Sequence, residues 1–560
     1  IRQDLDAYYE LGSDIELSNE YWQPIGDSNH TFTGSLDGNG YTIENLKIKN
    51  QNSAGLFGYG NGAVLKNITI ENVEINGAME YAGGLIGKLS SGHIENCTVE
   101  GTIVIINNNP DCDAYTGGIA GYSSGTIKNN KVNGDLSIET NVKIGSYSGS
   151  GSISGSGSGG ITGFQSSGTI EGCELQGKAY IESNASVGGI AGCSASGVVV
   201  TGNKVTAAGL IKGRSNAGGL IGTGHTIAGS SSSIDVEGES IVGGLIGFFR
   251  GSTITECFAT GDVVSDSGNA GGLIGQTGLT SITITESYAS GNVESNGVTS
   301  QNTGGLLGYG DGLYHTVTIQ DSFALGNVTG NSCVGGLIGK ALSTCNLTTS
   351  YTIGEVKGNS DVGALYGAAL SSNITDCYDA SQKEVLLKQV KGFDYETVWD
   401  IEAGATYSYL RSVEKPEKVK VGKAQYEGTG TEQDPYIIET QEQLLGVKNN
   451  PGKHFKLAND IDLDMETIEP LTGVVPFSGS FDGDDYVIKN VSINSTGNAG
   501  LFGDTNGAEI INVKLENISV TGGSSSKAGS LVGSMTGGSI ENCQVSSGAV
   551  SGTTAGGLIG

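Results

Sequence analysis

The stretch AGGLIG at residues 82–87 decides the fold, because variants of this phrase recur along most of the chain. The other thirteen copies are AGLFG at 54–58, TGGIAG at 116–121, SGGITG at 158–163, VGGIAG at 187–192, AGGLIG at 217–222, VGGLIG at 242–247, AGGLIG at 270–275, TGGLLG at 303–308, VGGLIG at 334–339, VGALYG at 362–367, AGLFG at 499–503, AGSLVG at 528–533 and AGGLIG at 555–560. From Gly58 to Gly367 the final glycines of the phrase lie 25 to 42 residues apart. Spacing near 30 residues is typical of a solenoid or another repeat array.

A second phrase follows most copies of the first and alternates apolar and polar residues before it reaches glycine. Examples are IENCTVEG at 94–101, IEGCELQG at 170–177, ITECFATG at 254–261 and IQDSFALG at 319–326. A period of two residues indicates a β-strand with one buried face. Short strands in units of about 30 residues predict an all-β fold, a parallel β-solenoid (β-helix) whose coils stack about 4.8 Å apart.

Glycine has two expected roles in such a coil, since it supplies positive φ at corners and lets neighbouring backbones pass closely. The Leu-Ile pairs of the repeated phrase are expected to build the interior and its flanking layers. Alternation along a strand predicts that one residue of each pair points inward. The pairs are Leu85 with Ile86, Leu220 with Ile221, and Leu337 with Ile338.

The two phrases together resemble the GLUG repeat of bacterial and archaeal surface and secreted proteins, over residues 54–378 and 499–560. GLUG arrays occur in adhesin-like proteins and in non-catalytic parts of secreted proteins such as immunoglobulin A-cleaving proteases. The resemblance therefore implies an extracellular scaffold, secreted or on the cell surface, and it implies no catalytic residue.

The chain also repeats on a larger scale, because residues 1–17 align without gaps with residues 447–463. Three segments are expected from this repeat, namely a first β-solenoid at 1–378, a closing cap and linker at 379–429, and a second β-solenoid at 430–560. Repeat arrays need atypical terminal units that hide their end coils. The segment between the solenoids is expected to supply one of them.

Within that segment, Trp399, Tyr407 and Leu410 are expected to cover the last coil of the first solenoid. The run KPEKVKVGK at 415–423 has the composition of an exposed linker.

The second solenoid is expected to open with a strand and a short helix within residues 428–447. Thr440 is the predicted N-cap of this helix, with Gln443 at the capping-box position. Residue 1 falls after the equivalent helix of the first solenoid, and residue 560 falls inside a glycine phrase. We therefore expect the sequence to be a window of a longer array of solenoids.

The charge balance argues against two classes of partner. The chain has 29 Lys and Arg residues against 59 Asp and Glu residues, a net charge of −30. Proteins that bind nucleic acid cluster Lys and Arg on one face, and anionic membrane surfaces also attract basic segments. No apolar run approaches the roughly 18 residues of a membrane span. We expect no nucleic acid partner and no direct membrane insertion.

The residues that usually carry chemistry do not form a recognisable site. The five histidines share no metal-binding spacing, arginine is scarce, and no acidic cluster recurs on one face of neighbouring coils. The prediction is therefore a non-enzyme with no catalytic, cofactor-binding or metal-binding residues. Acidic clusters are DGNG at 37–40, PDCD at 110–113, NDIDLD at 459–464 and DGDD at 482–485. They favour tight turns over metal binding, and calcium stays an open alternative.

Five of the nine cysteines occupy one position of the second phrase: Cys97, Cys173, Cys257, Cys377 and Cys543. Other copies place Asn130, Ser287, Ser322 and Ser350 there. A position that alternates among Cys, Ser and Asn predicts a small inward or corner site in a stacked ladder. Pairing among the remaining four cysteines is left open: Cys112, Cys193, Cys333 and Cys345.

These features predict an extracellular, non-enzymatic, adhesin-like scaffold such as a stalk, fibre or surface layer. The eleven phrases from Gly58 to Gly367 would span roughly 50 Å at about 4.8 Å per coil. Three alternatives remain: a carbohydrate-binding or carbohydrate-cleaving β-helix, a spacer of a larger secreted protease or toxin, and a subunit of a self-assembling filament. The partners expected on these hypotheses are a cell-surface glycan or protein, or further copies of the chain joined end to end.

Overall fold

The computed structural model covers the whole chain and divides into two compact units, Ile1–Val419 and Lys420–Gly560. It describes all residues except 18–19, 78, 109–112, 142–155, 298–300, 383–388, 391, 402–405, 420–425, 427, 464, 466, 473–474 and 524–525. Cys112 and most of the acidic cluster at 110–113 lie outside the described residues. The first unit includes Glu417–Val419, so part of the predicted linker belongs to its folded body.

Each coil of the first unit is built from parallel strands on three sides, which confirms the predicted all-β parallel solenoid. In one coil, Tyr81–Gly83 lies on the first side, Ile86–Leu89 and Gly92–Glu95 on the second, and Thr98–Asn107 on the third. The first side carries the repeated glycine phrase, and we call it the glycine side. The coil strands pair in parallel with the equivalent strands of the next coil, as Ile94 does with Ile127, whereas Trp399–Asp400 and Tyr409–Leu410 pair antiparallel with each other.

The strands of the glycine side are Ser53–Ala54, Tyr81–Gly83, Tyr115–Gly117, Gly157–Gly159, Ser186–Gly188, Asn216–Gly218, Ile241–Gly243, Asn269–Gly271, Thr303–Gly304, Ser332–Gly335 and Ser360–Gly363. The strands of the second side are Tyr8–Glu10, Ser35–Asp37, Phe57–Gly60, Ala63–Lys66, Ile86–Leu89, Gly92–Glu95, Ala120–Ser123, Thr126–Lys128, Thr162–Gln165, Thr169–Glu171, Ala191–Ser194, Val199–Thr201, Ile221–Gly224, Thr226–Ala228, Ile246–Phe249, Thr253–Thr255, Ile274–Thr277, Ile282–Thr285, Leu307–Gly310, Val317–Gln320, Ile338–Thr348 and Tyr366–Thr375. One column of these, from Tyr8–Glu10 to Tyr366–Thr375, is an unbroken ladder of thirteen strands.

The third side changes along the unit. Its strands are single and mostly long at first: Ile15–Glu16, Thr42–Lys49, Thr69–Gly77, Thr98–Asn107, Lys131–Thr140 and Glu174–Ser183. Each later coil has two short strands instead: Lys204–Val205 and Ala208–Gly213, Ser231–Ser232 and Asp235–Gly238, Phe258–Ala259 and Val263–Ser265, Tyr288–Ala289 and Val293–Ser295, Phe323–Ala324 and Val328–Thr329, Tyr351–Thr352 and Val356–Lys357. The ladder therefore forks after Glu174–Ser183, which pairs with both strands of the next coil.

The interior is one continuous hydrophobic core of Ile, Leu, Val and Ala side chains. Both members of each Leu-Ile pair are buried in it, including Leu85 with Ile86 and Leu220 with Ile221. The expectation that only one residue of each pair points inward was therefore wrong. A strand ends at Gly83 and the next begins at Ile86, so Leu85 sits at the corner, where strand alternation does not apply.

The glycines of the repeated phrase allow close packing of neighbouring backbones, and they do not adopt positive φ. A Cβ on Gly83 would lie 2.3 Å from the Ile86 carbonyl oxygen and 2.7 Å from the Ala120 Cα of the next coil. No positive φ occurs at Gly83, whereas Asn96 and Thr349 in the second phrase have φ of 55° and 44°. Only one of the two expected roles of glycine therefore applies to the phrase itself.

The residue after this left-handed position is the one that alternates among Cys, Ser and Asn. The backbone N–H of Cys97 donates to Asn130 Oδ1 of the next coil at 2.9 Å. In later coils, Ser287 N–H donates to Ser322 Oγ, and Ser322 N–H donates to Ser350 Oγ, each at 3.2 Å. These buried side chains satisfy corner N–H groups that the strand ladders leave unpaired. The predicted small inward corner position is confirmed.

The second unit repeats the opening of the first. Its strands are Tyr436–Ile438, Phe455–Leu457, Ile461–Asp462, Thr467–Ile468, Ser480–Asp482, Val487–Ser495, Phe502–Asn506, Glu509–Ile511, Lys514–Gly522, Lys527–Ala528, Val532–Thr536, Ser539–Glu541, Gln544–Val545, Gly548–Ser551 and Thr554–Ala555. The predicted capping box is confirmed, since Gln443 N–H donates to Thr440 Oγ1 and Thr440 N–H to Gln443 Oε1. Helix Gln441–Leu445 places Leu444 in the core of this unit. The short 3₁₀ turns are Ala380–Gln382, Glu417–Val419 and Gly446–Asn449.

Candidate functional site

Each long strand of the third side bends at one residue, and these bends together form a groove along the first unit. Residues at the bend have positive φ, with 59° at Asn72, 78° at Gly101 and 79° at Gly177. A left-handed residue turns the strand without breaking its pairing to the next coil. Because the bend repeats in successive coils, the concave surfaces align into one groove parallel to the solenoid axis.

Two neighbouring stretches of this groove enclose about 380 Å³ and about 420 Å³. They share the same outward columns, because Val104 pairs with Ser137, Ser137 with Tyr180, and Tyr180 with Leu210. The groove therefore crosses six coils, from Lys47 to Leu210, or about 24 Å at 4.8 Å per coil. We call it the third-side groove.

Tyr180 is the aromatic side chain of the third-side groove and is 41% exposed. Its hydroxyl donates to Glu182 Oε2 at 2.7 Å, which fixes the direction of the ring. The same hydrogen bond and partial burial raise the pKa of Tyr180 to about 12. Its ring is therefore neutral and presents an apolar face across the physiological pH range.

The outward column that begins the third side changes character along the unit. Its members are Thr42, Thr69, Thr98, Lys131, Glu174, Lys204, Ser231, Phe258, Tyr288, Phe323 and Tyr351. The last four rings stack in parallel, with centroids 4.9 to 5.0 Å apart and interplanar angles of 3° to 6°. We call these four side chains the aromatic ladder.

Residues 392–401 and 406–419 cover the aromatic ladder, and we call these two stretches together the strap. The Trp399 ring lies 6.0 Å from both Phe323 and Tyr351 and is fully buried. Its indole N–H donates to Asp321 Oδ1 at 3.1 Å. Further back along the solenoid, the Tyr288 hydroxyl donates to the Glu414 carbonyl at 2.8 Å. The strap therefore runs along the side of several coils.

Trp399 was expected to cover the last coil, and it lies instead on the outward side of the coils that carry Phe323 and Tyr351. Inward positions of the terminal coil stay open, since Leu370 is 73% and Val362 45% exposed. The aromatic ladder offers the indole a continuous apolar strip along the side, and that contact places it there. The predicted linker also docks here, because Lys418 Nζ donates to the Ser290 carbonyl at 2.6 Å.

On the glycine side, the side chains that flank each glycine phrase meet outside the coil. Lys88 Nζ donates to Tyr81 Oη at 2.9 Å, and Asn269 Nδ2 donates to Gln276 Oε1 at 2.9 Å. Lys88 Nζ also lies 5.2 Å from the centroid of the Tyr122 ring. In each pair the two partners are seven residues apart and stand on either side of one glycine phrase. The phrase therefore turns the chain so that its flanking side chains meet at the corner.

The acidic clusters engage in turns. Asp37 Oδ1 accepts hydrogen bonds from Asn39 N–H at 3.0 Å and from Asn67 Nδ2 at 2.9 Å. Lys66 Nζ lies 2.9 Å from Asp37 Oδ2, and hydrogen bonds from Lys66 and Asn67 lower the pKa of Asp37 to about 2. In the second unit Asp460 accepts Val487 N–H at 2.9 Å. Across the described residues, no group of three or more His, Cys, Asp or Glu side chains has an arrangement that would hold a metal ion.

All eight cysteines in the described part of the chain are free thiols. Burial raises the pKa of Cys97, Cys173 and Cys257 to about 12. At neutral pH these thiols are protonated and serve as small core residues. Among the described helices, none is long and apolar enough to cross a membrane.

Sequence analysis missed both the third-side groove and the strap, although each has a signal in the repeats. The residue after the Cys/Ser position is Thr, Lys or Glu in early copies and Phe or Tyr in copies from Phe258 onward. An outward position that becomes consistently aromatic indicates a covered surface. The left-handed Asn or Gly at the bend also recurs in register, as at Asn72 and Gly101.

Comparisons with known proteins found one sequence motif and two partial relatives. A sequence model of the GLUG motif matches residues 80–104. Halomucin of Haloquadratum walsbyi is 39% identical over 135 residues, 21% of this chain and 1% of that protein. A protein of Evansella cellulosilytica provisionally named a Gly-rich membrane protein is 38% identical over 136 residues, 21% of this chain and 15% of that protein. The chain therefore spans only a small part of these relatives.

Among solved structures, a protein from Bacteroides ovatus provisionally named an immunoglobulin A1 protease is similar at 20% identity. The match covers 46% of this chain and 70% of that chain, with a TM-score of 0.29. The match at 80–104 confirms the predicted resemblance to the GLUG repeat, and similar phrases recur in the stacked coils.

Proposed function

We propose that this chain is a non-enzymatic, adhesin-like scaffold of the cell surface that holds other parts of a larger protein, or other cells, at a distance. The observation that carries the proposal is the unbroken ladder of thirteen parallel strands in the first unit. At about 4.8 Å per coil this ladder spans roughly 58 Å, and its core runs through all coils. A continuous core makes such a rod stiff, since each coil buries its neighbours.

The surface location is supported by the relatives, one named a halomucin and the other a Gly-rich membrane protein. The net charge of −30 favours a solvated surface that resists non-specific association. The Cys, Ser and Asn side chains at the corner position form a column along the solenoid, which we call the corner ladder. Its members hydrogen-bond the backbone, since Asn130 Nδ2 donates to the Ile94 carbonyl and Asn130 Oδ1 accepts the Cys97 N–H. These groups serve the coil itself, which supports a structural role for the repeated positions.

The test has a cellular arm and a chemical arm. Antibodies raised against the purified chain are expected to label intact source cells, and deletion of the gene is expected to reduce attachment or cell–cell contact. The purified chain is expected to release no product from peptide or polysaccharide substrates. Labelling only after cell lysis, unchanged contact in the deletion strain, or turnover that survives repurification would each contradict the proposal.

A further inference from the structure

The third-side groove is an outward feature of the first unit that the coil does not use for its own packing. Its floor includes Val104, Ile106 and Leu210, which face outward from the solenoid. Leu46 and Val73, in contrast, belong to the core. Outward apolar side chains in one aligned groove indicate a contact surface.

The groove has no excess of positive charge along its length. One stretch is lined by Lys47 and Glu74, and the other by Asp135 and Lys178. Lys47 Nζ lies 3.9 Å from Glu74 Oε2. These four lining charges cancel, and the further charges near Tyr180 are the carboxylates of Glu182, Glu237 and Glu139, so the groove has no excess of positive charge. A polyanion such as nucleic acid or an acidic polysaccharide is repelled by the chain and finds no cationic track in this groove.

The shape of the groove selects an extended ligand. It is about 24 Å long, shallow and parallel to the axis, and polar groups recur along it at the coil spacing of about 4.8 Å. A sugar ring combines an apolar face with equatorial hydroxyls, so it matches an aromatic ring beside Lys and carboxylate side chains. Tyr180 supplies such a ring, held by Glu182 at 2.7 Å.

We propose that the third-side groove binds a neutral, linear glycan whose chain lies along the solenoid axis. One sugar ring stacks on Tyr180, and the apolar floor near Val104 receives a ring further along the chain. Lys178 and Asp135 exchange hydrogen bonds with the glycan hydroxyls. The binding needs no bond to be made or broken. It is independent of the scaffold role, since a stalk without a glycan site is still a stalk.

The experiment uses the whole chain on an array of neutral linear oligosaccharides (β-1,4-glucan, xylan, mannan and α-1,4-glucan) with polygalacturonate as the anionic comparison. At least one neutral series is expected to bind, and calorimetry then gives its affinity. Tyr180→Ala should weaken binding about tenfold, which corresponds to about 1.4 kcal/mol, because it removes the ring on which a sugar stacks. Tyr180→Phe keeps the ring and should retain affinity within about threefold.

The matched control is Tyr314→Ala, because Tyr314 is 96% exposed and lies in a loop of the second side. It should leave binding unchanged. Val104→Asp should weaken binding of oligomers long enough to span both stretches and spare shorter ones. Thermal unfolding of each variant checks that the coil is intact. The proposal is overturned if no neutral glycan binds, if Tyr180→Ala and Tyr314→Ala behave alike, or if polygalacturonate binds best.

Discussion

The two halves of the third side use the same coil in opposite ways. In the first half, long strands bend at left-handed residues such as Gly177, and the outward face is an open groove. In the second half, short split strands carry the aromatic ladder, and the strap covers it. The inward positions hardly differ between the halves, since Ile181 and Val293 both lie in the core.

The difference shows that a solenoid separates stability from surface function. Inward residues and corner ladders hold each coil to its neighbours, and they repeat in both halves. Outward columns are free to vary because they add little to stacking. One half of this surface therefore stays available for a ligand, while the other half binds part of its own chain.

Trp399→Ala should have the largest effect and should act on the covered half alone. Removing a fully buried indole costs about 3–5 kcal/mol, and here that cost is borne by the docking of the strap. Protease cleavage within the strap is expected to rise by orders of magnitude while the core of the coil stays folded. Tyr180→Ala in the open half is the comparison and should leave the cleavage pattern unchanged. Equal cleavage in wild type and Trp399→Ala would remove the distinction between the halves.

Glycine-side substitutions should affect both halves alike. A Cβ on Gly83 would approach the Ile86 carbonyl oxygen to 2.3 Å, and one on Gly336 the Ala364 carbonyl oxygen to 2.2 Å. Each Gly→Ala change should therefore lower the free energy of unfolding by about 1–3 kcal/mol, measured by chemical denaturation. Gly12→Ala is the control, because nothing lies within 4 Å of its Cβ. A large difference in the free energy of unfolding between Gly83→Ala and Gly336→Ala would mean that the backbone packing differs between the two halves.

Ser322→Ala tests the corner ladder, which both halves share. It removes the acceptor of Ser287 N–H and leaves that buried donor unpaired, at a cost of about 1–2 kcal/mol. Ser322→Cys should cost less, since Cys257 occupies the same position in an earlier coil. Chemical denaturation ranks the two variants, and a Cys variant less stable than the Ala variant would contradict the ladder.

The buried thiols provide a kinetic test of coil integrity in the first half. Because burial raises the pKa of Cys97 and Cys173 to about 12, both are protonated at pH 8 and poorly nucleophilic. Labelling with a thiol reagent at pH 8 should modify them only after denaturant unfolds the coil. Mass spectrometry of the peptides identifies each site, and rapid labelling of either cysteine in the folded chain would show that the coil opens locally.

The smallest expected effect is a pH dependence at the start of the open half. The pKa of Asp37 is about 2 in the folded chain against 3.8 for the ordinary group, because Lys66 and Asn67 donate to its carboxylate. A depressed folded pKa adds stability above pH 3.8, and that stability is lost as the pH falls through about 2. Asp37→Asn should flatten the dependence of stability on pH across this window, and thermal unfolding at a series of pH values measures that dependence. An unchanged profile would show that the pair contributes nothing measurable.

Much of the coil could be predicted from the sequence because its causes are local. Alternation around Ile94 and Ile127 identifies strands, and the fixed spacing of the phrase identifies stacking. The Cys, Ser and Asn alternation identified a small corner position, and Asn130 and Ser322 fill it. The burial of both Leu85 and Ile86 was missed, because a corner removes the alternation on which the inference depends.

The sequence by itself determined the repeat, the parallel coil and the chemistry of the inward positions, since each depends on spacing within about 30 residues. Only the tertiary structure decided which parts of the outward surface are covered and which form a groove. The strap meets the aromatic ladder across 126 residues of chain, between Tyr288 and Glu414. The third-side groove exists only because bends in six coils stand in register. Contacts between distant coils depend on how the whole stack forms, and no single repeat encodes them.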